Sequence, residues 1–182
     1  HSAMKHAAGP RREIGIRTIF NMLGPLTNPA GATAQLLGVF DARLTEMFAG
    51  VLRNLGTRHA FVVYGSDGLD EATVTGKTRV TELQDGLFRT FDIDAAEIFG
   101  ERYDLDSLRG GDAARNAEIA QSVLMGDGVP AARNVVLLNA ALAIMAGDKA
   151  ATLQEGLALA KESIDSGAAL QKLRQLVEVS KS

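Results

Sequence analysis

The stretch AQLLGVFDARLTEMFAGVLRNLGTRHAFVVYGSDGLDE, residues 34–71, decides the fold. Its opening, residues 34–40, is a short apolar run with Gly38 inside it, and reads as a buried strand. Asp41 is a candidate N-cap. Leu44, Met47, Phe48, Val51, Leu52 and Leu55 follow at helical spacing, and Gly56 stops that helix. Residues 59–64 form a second apolar run and a second strand. A strand, a helix and a strand on short connections default to a right-handed parallel crossover. The chain therefore reads as α/β, with strands first and helices gathered toward its C-terminal end.

The stretch ends on GSDGLDE, residues 65–71. In parallel α/β sheets, ligands bind beyond the carboxyl ends of the strands. Asp70 and Glu71 are adjacent, so they can share one cation or contact two. Carboxylate oxygens with no His or Cys nearby suit Mg²⁺, which keeps waters and shares phosphate ligands. Asp67-Gly68 by itself reads as a turn. From spacing alone a solvated turn is the stronger reading, and a cation site stands open beside it.

Downstream, residues 78–83 and 87–93 read as a hairpin around Asp85-Gly86. Residues 99–111 look irregular. Asp112 caps a helix with Ile119, Ala120, Val123 and Leu124 on one face. Residues 134–146 are almost wholly apolar and long enough for a buried helix that stops at Gly147. Thr152 and Glu155 make a capping-box pattern. A last helix carries Leu170, Leu173 and Val177. His59, at a strand start, reads as structural. Met22, Met47 and Met125 read as core filler.

Upstream, residues 1–30 are the least regular. Pro10 can open a helix at Arg11, and residues 18–23 read as a second short helix that ends at Gly24-Pro25. His1, Lys5, His6, Arg11, Arg12 and Arg17 make a basic cluster with one acid, Glu13. Such a cluster can hold a carboxylate or phosphate, Arg best because its fork matches those anions, or it can be a solvated helix face. The strands are few for the number of helices, so further strands are expected from a portion preceding His1, where the chain starts without a methionine.

The 182 residues suit one domain or a domain with a small appendage. The net charge of −3 gives no bulk argument for a nucleic-acid partner. The absence of cysteine excludes disulfides and thiolate metal sites. No apolar run approaches the ~20 residues needed to span a bilayer, and no signal peptide is visible. Three dispersed histidines do not make a zinc site. No P-loop, GxGxxG or Ser/Cys nucleophile motif occurs.

Two motifs are long and ordered enough to carry a resemblance. HSAMK (residues 1–5) and RREIGIRTIFNMLGPLTNPA (residues 11–30), followed by DGLDE (residues 67–71) and NVVLLNA (residues 134–140), resemble the anthranilate phosphoribosyltransferase family. The resemblance runs through essentially the whole chain. It implies the C-terminal α/β domain of the nucleoside phosphorylase/phosphoribosyltransferase type, a mainly parallel sheet with flanking helices. Residues 1–30 would pack with a helical domain outside this chain and line the anthranilate channel, and residues 31–182 would be the α/β domain. The family moves the phosphoribosyl group of phosphoribosyl pyrophosphate (PRPP) to anthranilate in tryptophan biosynthesis.

Carried over position by position, the resemblance assigns Mg²⁺ to Asp70 and Glu71, and anthranilate to Arg11, His1, Gly24 and Pro25. It implies no covalent catalytic residue, no nucleic acid or membrane, a cytoplasmic location and a homodimeric full-length protein. Met4 departs from the pattern, standing where some relatives have Tyr. The family's glycine-rich PRPP loop is not in this sequence, so the chain alone is expected to turn over little or nothing. The competing readings are a nucleoside phosphorylase-like enzyme and a non-enzymatic nucleic-acid-binding relative of the same fold. The paired Asp70-Glu71 and the Arg11 context argue against the first, and the acidic net charge with the intact Asp70-Glu71 against the second.

Overall fold

Strands β1 (Ala34–Gly38) and β2 (His59–Gly65) pair parallel, with Ala34 beside His59 and Gly38 beside Val63. Helix α1 (Leu44–Asn54) crosses between them. In this computed structural model residues 30–181 are described continuously, together with Gly9, Glu13, Leu23, Gly24, Leu26 and Thr27. The expected helices at Arg11 and over residues 18–23 lie mostly outside the described residues.

Helix α1 buries Thr45, Phe48, Ala49 and Leu52, a stripe at i, i+3, i+4 and i+7. Phe48, Ala49 and Leu52 pack on Leu37, Val39, Ala60, Val62 and Leu83, and Leu26 joins the edge of that cluster. Met47, expected in this core, is instead 44% exposed. It sits one residue, about 100° of helix, away from the stripe that Phe48 occupies. Asp41 accepts from the Arg43 N–H at 2.9 Å, just ahead of the helix rather than as its N-cap. Gly56, at φ +85°, provides the left-handed stop.

Strands β3 (Lys77–Gln84) and β4 (Leu87–Asp94) form the expected hairpin. Asp85 and Gly86 both have positive φ, 49° and 83°, the geometry of a two-residue turn whose twist matches its strands. β3 also pairs antiparallel with β2, so the order is β1-β2-β3-β4. This corrects the mainly parallel expectation: among the described residues one strand pair is parallel and the other two are antiparallel. For β3 and β4 the physical reason is loop length, since a two-residue hairpin cannot make a parallel crossover.

The opposite face is covered by α4 (Pro130–Ala146). Its Leu138, Leu142 and Ala146 meet Phe61, Val63, Val80 and Ile93 in the main core. The helix begins four residues earlier than the apolar run suggests, with Pro130 in its first turn, where a missing N–H costs nothing. The segment expected to be irregular holds the end of α2 (Ala95–Phe99) and a 3₁₀ turn (Leu105–Leu108). Helix α3 (Ala113–Met125) is capped by Asp112, as expected. Met125 is a second correction, 53% exposed on the last turn of α3.

Helix α5 (Leu153–Asp165) starts on the full capping box of Thr152 and Glu155. It packs closely on α4: a Cβ on Gly156 would stand 2.8 Å from the Ala141 carbonyl oxygen. Helix α6 (Ala168–Lys181) buries no residue. His59 holds the end of β2 farthest from GSDGLDE. One ring nitrogen lies 3.1 Å from buried Glu82, and the other 3.1 Å from Asp148, just past α4. The structural reading of His59 is the one the geometry bears out.

Candidate active site

The loop over residues 65–71 leaves the carboxyl end of β2 and crosses in front of β1. Its turn is closed by two backbone bonds, the Gly68 N–H to the Gly65 carbonyl and the Gly65 N–H to the Leu69 carbonyl, both 2.9 Å. Gly68 has φ +92°, a conformation that L side chains adopt at a strain cost. Asp67 ties the turn internally. One carboxylate oxygen accepts from the Leu69 N–H at 3.0 Å. The other accepts from the hydroxyls of Thr73 and Thr75, the latter at 2.6 Å. Burial pushes the Asp67 carboxyl up, but the two hydroxyls and the backbone N–H outweigh it and hold the group below its ordinary value.

Beyond the pair of acids, the chain returns to the core. Ala72, Thr73 and Val74 are fully buried. The backbone of Ala72 is gripped by Asn139 of α4, which accepts the Ala72 N–H at 3.0 Å and donates to its carbonyl at 2.8 Å. The Ser66 hydroxyl accepts from the Lys77 N–H at 3.0 Å. Every polar side chain from Ser66 to Thr75 is thus bonded within this region except Asp70 and Glu71. Among the described residues, those two have no side-chain hydrogen bond and no ion pair. Both are exposed to solvent.

Their electrostatics follow from the crowding. Partial burial raises the Glu71 carboxyl, and the neighbouring Asp70 and then Asp67 raise it further. Like charges are gathered here with no cation from the described chain to offset them. The donor set is oxygen only, and among the described residues no three His, Cys, Asp or Glu side chains form a metal cage. Two free carboxylates fit a hard divalent cation that keeps its waters and takes its remaining oxygens from a phosphate ligand. They do not fit a self-contained structural metal site.

Glu71 also lines a cavity of about 470 Å³ between the loop, α3 and α4. Its walls are mostly apolar and include Leu69, Leu108, Ile119, Val135 and Val136.

The other sequence candidates stand differently. His1, Arg11 and Pro25 lie outside the described residues. Gly24 is described and exposed, and its carbonyl accepts from the Thr27 N–H at 3.3 Å. Two residues on, Leu26 lines a small pocket together with Thr33, Gln35 and Leu55, at the start of β1. No described hydrogen bond joins Gly24 to the acidic loop. Asn139 is visible in the sequence only as the polar residue that interrupts the apolar run over residues 135–146. That break in the pattern is the available signal for it.

A strand–helix–strand unit with an acidic loop at its carboxyl end, backed by a buried helix, defines an α/β domain with a candidate cation site at the ends of its strands. The chain matches the model of the glycosyl transferase family a/b domain over residues 1–170, and it belongs to that family. It is 58% identical over 177 residues to an anthranilate phosphoribosyltransferase from Moorella thermoacetica, covering 97% of this chain and 52% of that protein. Its identity to one from Desulfosudis oleivorans is 53% over 182 residues, covering 100% and 54%.

Solved structures agree. Anthranilate phosphoribosyltransferase from Thermus thermophilus superposes with a TM-score of 0.89 at 38% identity, over 100% of this chain and 54% of the other. The Saccharomyces cerevisiae enzyme in complex with PRPP and Mg gives 0.87 at 31%, over 100% and 53%. The chain spans about half the length of the curated relatives it matches.

Proposed function

We propose that this chain is the cation-binding α/β part of an enzyme that transfers the phosphoribosyl group of PRPP to anthranilate. The products are N-(5′-phosphoribosyl)anthranilate and pyrophosphate, and the reaction serves tryptophan biosynthesis in the cytoplasm. One observation carries the reading. Asp70 and Glu71 stand unpaired, among the described residues, in a loop whose other polar side chains are all bonded. The relatives' names and the PRPP and Mg complex of the yeast enzyme support the same assignment.

In this mechanism the amine nitrogen of anthranilate forms a bond to C1′ of the ribose. The bond from C1′ to the pyrophosphate oxygen breaks, the leaving group keeps the electron pair, and the amine loses a proton to solvent. When bound, Mg²⁺ supplies charge neutralisation for the departing pyrophosphate. Asp70 and Glu71 would hold the cation, and Asp67 fixes the turn that presents them. The amine of anthranilate is already neutral, so orientation contributes more than base catalysis. Arg11 would fix its carboxylate through a charge-assisted contact of about 1.5–3 kcal/mol. His1, Gly24 and Pro25 would line its approach. The displacement is direct, without a covalent enzyme intermediate.

Residues 1–30 form a segment that packs with a helical domain, residues 31–182 form the α/β domain, and the whole protein is a homodimer. Among the described residues no single helix is long and apolar enough to cross a membrane. Anthranilate fluorescence tests the function. With PRPP and Mg²⁺ the whole protein consumes the signal, and an Arg11→Ala variant does so with a raised KM. A whole protein that leaves anthranilate fluorescence unchanged under these conditions would overturn the proposal. The 182-residue chain alone is expected to be inactive.

A further inference from the structure

We infer that Asn139 is a positioning residue for the Asp70–Glu71 pair, setting where the two carboxylates present themselves to a divalent cation. The inference rests on the cation reading of the loop and goes beyond it to a residue in another element. Asn139 sits half-buried on α4, 67 positions from Ala72 in sequence. Its side chain makes three bonds: Oδ1 accepts the Ala72 N–H at 3.0 Å, and Nδ2 donates to the carbonyls of Ala72 at 2.8 Å and Val135 at 2.9 Å. The orientation of the amide is set by these partners, because only the NH₂ group can face two carbonyls.

The geometry has a direct mechanical consequence. Ala72 is the residue after Glu71. With its N–H and its carbonyl both held by one side chain, its backbone can neither slide nor rotate without losing two bonds at once. The third bond, to Val135, fixes the amide to its own helix, so the clamp does not swing. The preceding side of the pair is held separately by the Asp67 turn and by contact between the Asp70 carbonyl and β1. Asp70 and Glu71 are therefore two free carboxylates strung between two fixed points. Two bonds to the same backbone unit, adjoining the only free acids of the loop among the described residues, point to control of their placement.

Groups that hold a metal's ligands in place cost roughly 10–100-fold in metal affinity when lost. The test uses the whole protein with excess pyrophosphate and Mn²⁺ as a paramagnetic probe, free Mn²⁺ being read by EPR. Asn139→Asp keeps the acceptor for the Ala72 N–H and removes both donors. Its Mn²⁺ affinity is expected to fall about 10-fold, with the circular dichroism spectrum unchanged. Equal affinity in Asn139→Asp and the wild-type protein overturns the inference alone. A wild-type whole protein that binds no more Mn²⁺ than an Asp70→Asn/Glu71→Gln control overturns the cation reading and this inference with it.

A measurement without a variant covers the case in which Asn139→Asp does not fold. During Mg²⁺ titration of the wild-type whole protein with pyrophosphate, the Asn139 side-chain NH₂ resonances are expected to shift together with the backbone amides of Asp70, Glu71 and Ala72. Asn139 resonances that stay fixed while those amides move overturn the inference.

Discussion

A Cβ built on Gly38 would stand 1.5 Å from the backbone carbonyl oxygen of Asp70. The last residue of β1 and the first acid of the pair are therefore in backbone contact, and only glycine permits it. Gly38→Ala must push the loop off the end of β1, because the obstructing atom is main chain. We expect a loss of about 1–3 kcal/mol in stability, the usual range for forcing a methyl group into packed structure. Mn²⁺ binding should weaken at the same time. Denaturant melts and EPR titration of the same sample check both, and a variant with wild-type cation affinity would show that the contact does not set the loop.

At the other end of β2, His59 bonds Glu82 and Asp148 and is 4% exposed. Glu82 is 6% exposed and also accepts from the Arg89 Nε at 2.8 Å. His59→Ala leaves a cavity and strips one partner from a buried carboxylate. We expect a loss of about 2–4 kcal/mol, read as a fall in Tm. The strand places this network roughly 20 Å from the acidic loop at ~3.3 Å per residue, so cation affinity should be unchanged in the fraction that remains folded. An unaltered Tm would remove the network from the account of stability.

The contrast between these two sites shows what the sequence makes legible. Short-range chemistry is readable: the Asp85-Gly86 turn, the Asp112 cap and the Thr152/Glu155 box all depend on residues within a few positions of each other. The alternation of strand and helix over residues 34–64 is readable for the same reason. The antiparallel pairing of β3 with β2 is not, because pairing is settled by sheet geometry between distant segments. Met47 and Met125 carry the right hydrophobicity but the wrong helical angle or position. Asn139 cannot be connected to Ala72 from the sequence, since 67 positions separate them and only the packing of α4 brings them together.

The Glu71 carboxyl gives a pH-dependent prediction. Burial, then Asp70, then Asp67 raise its folded pKa above the ordinary glutamate value. The stability tied to its protonated form is fully present below that ordinary value and is lost as pH rises through the folded value. Glu71→Gln should therefore make the metal-free chain slightly more stable than wild type at neutral pH, and no more stable at about pH 3.5, below the ordinary glutamate value. Exposure of the side chain limits the gain to about 0.5 kcal/mol. Urea melts at the two pH values measure it. A gain of the same size at both would show that charge is not its origin.

The cation assignment makes the strongest demand on the whole protein. Asp70→Asn with Glu71→Gln removes both free carboxylates while keeping the shape of the loop, and neither side chain makes a described bond that holds the fold. Stability at neutral pH should hold or rise slightly, so any loss of activity belongs to the site rather than to unfolding. Charge neutralisation at a departing phosphate is worth several kcal/mol, which corresponds to a fall in kcat/KM of about 100-fold or more at physiological Mg²⁺. Raising Mg²⁺ should recover part of the loss only if other phosphate contacts still bring the cation in with PRPP. A double variant with the Mg²⁺ dependence and rate of the wild type would take the cation away from this loop, and with it the physical basis for reading residues 65–71 as a site.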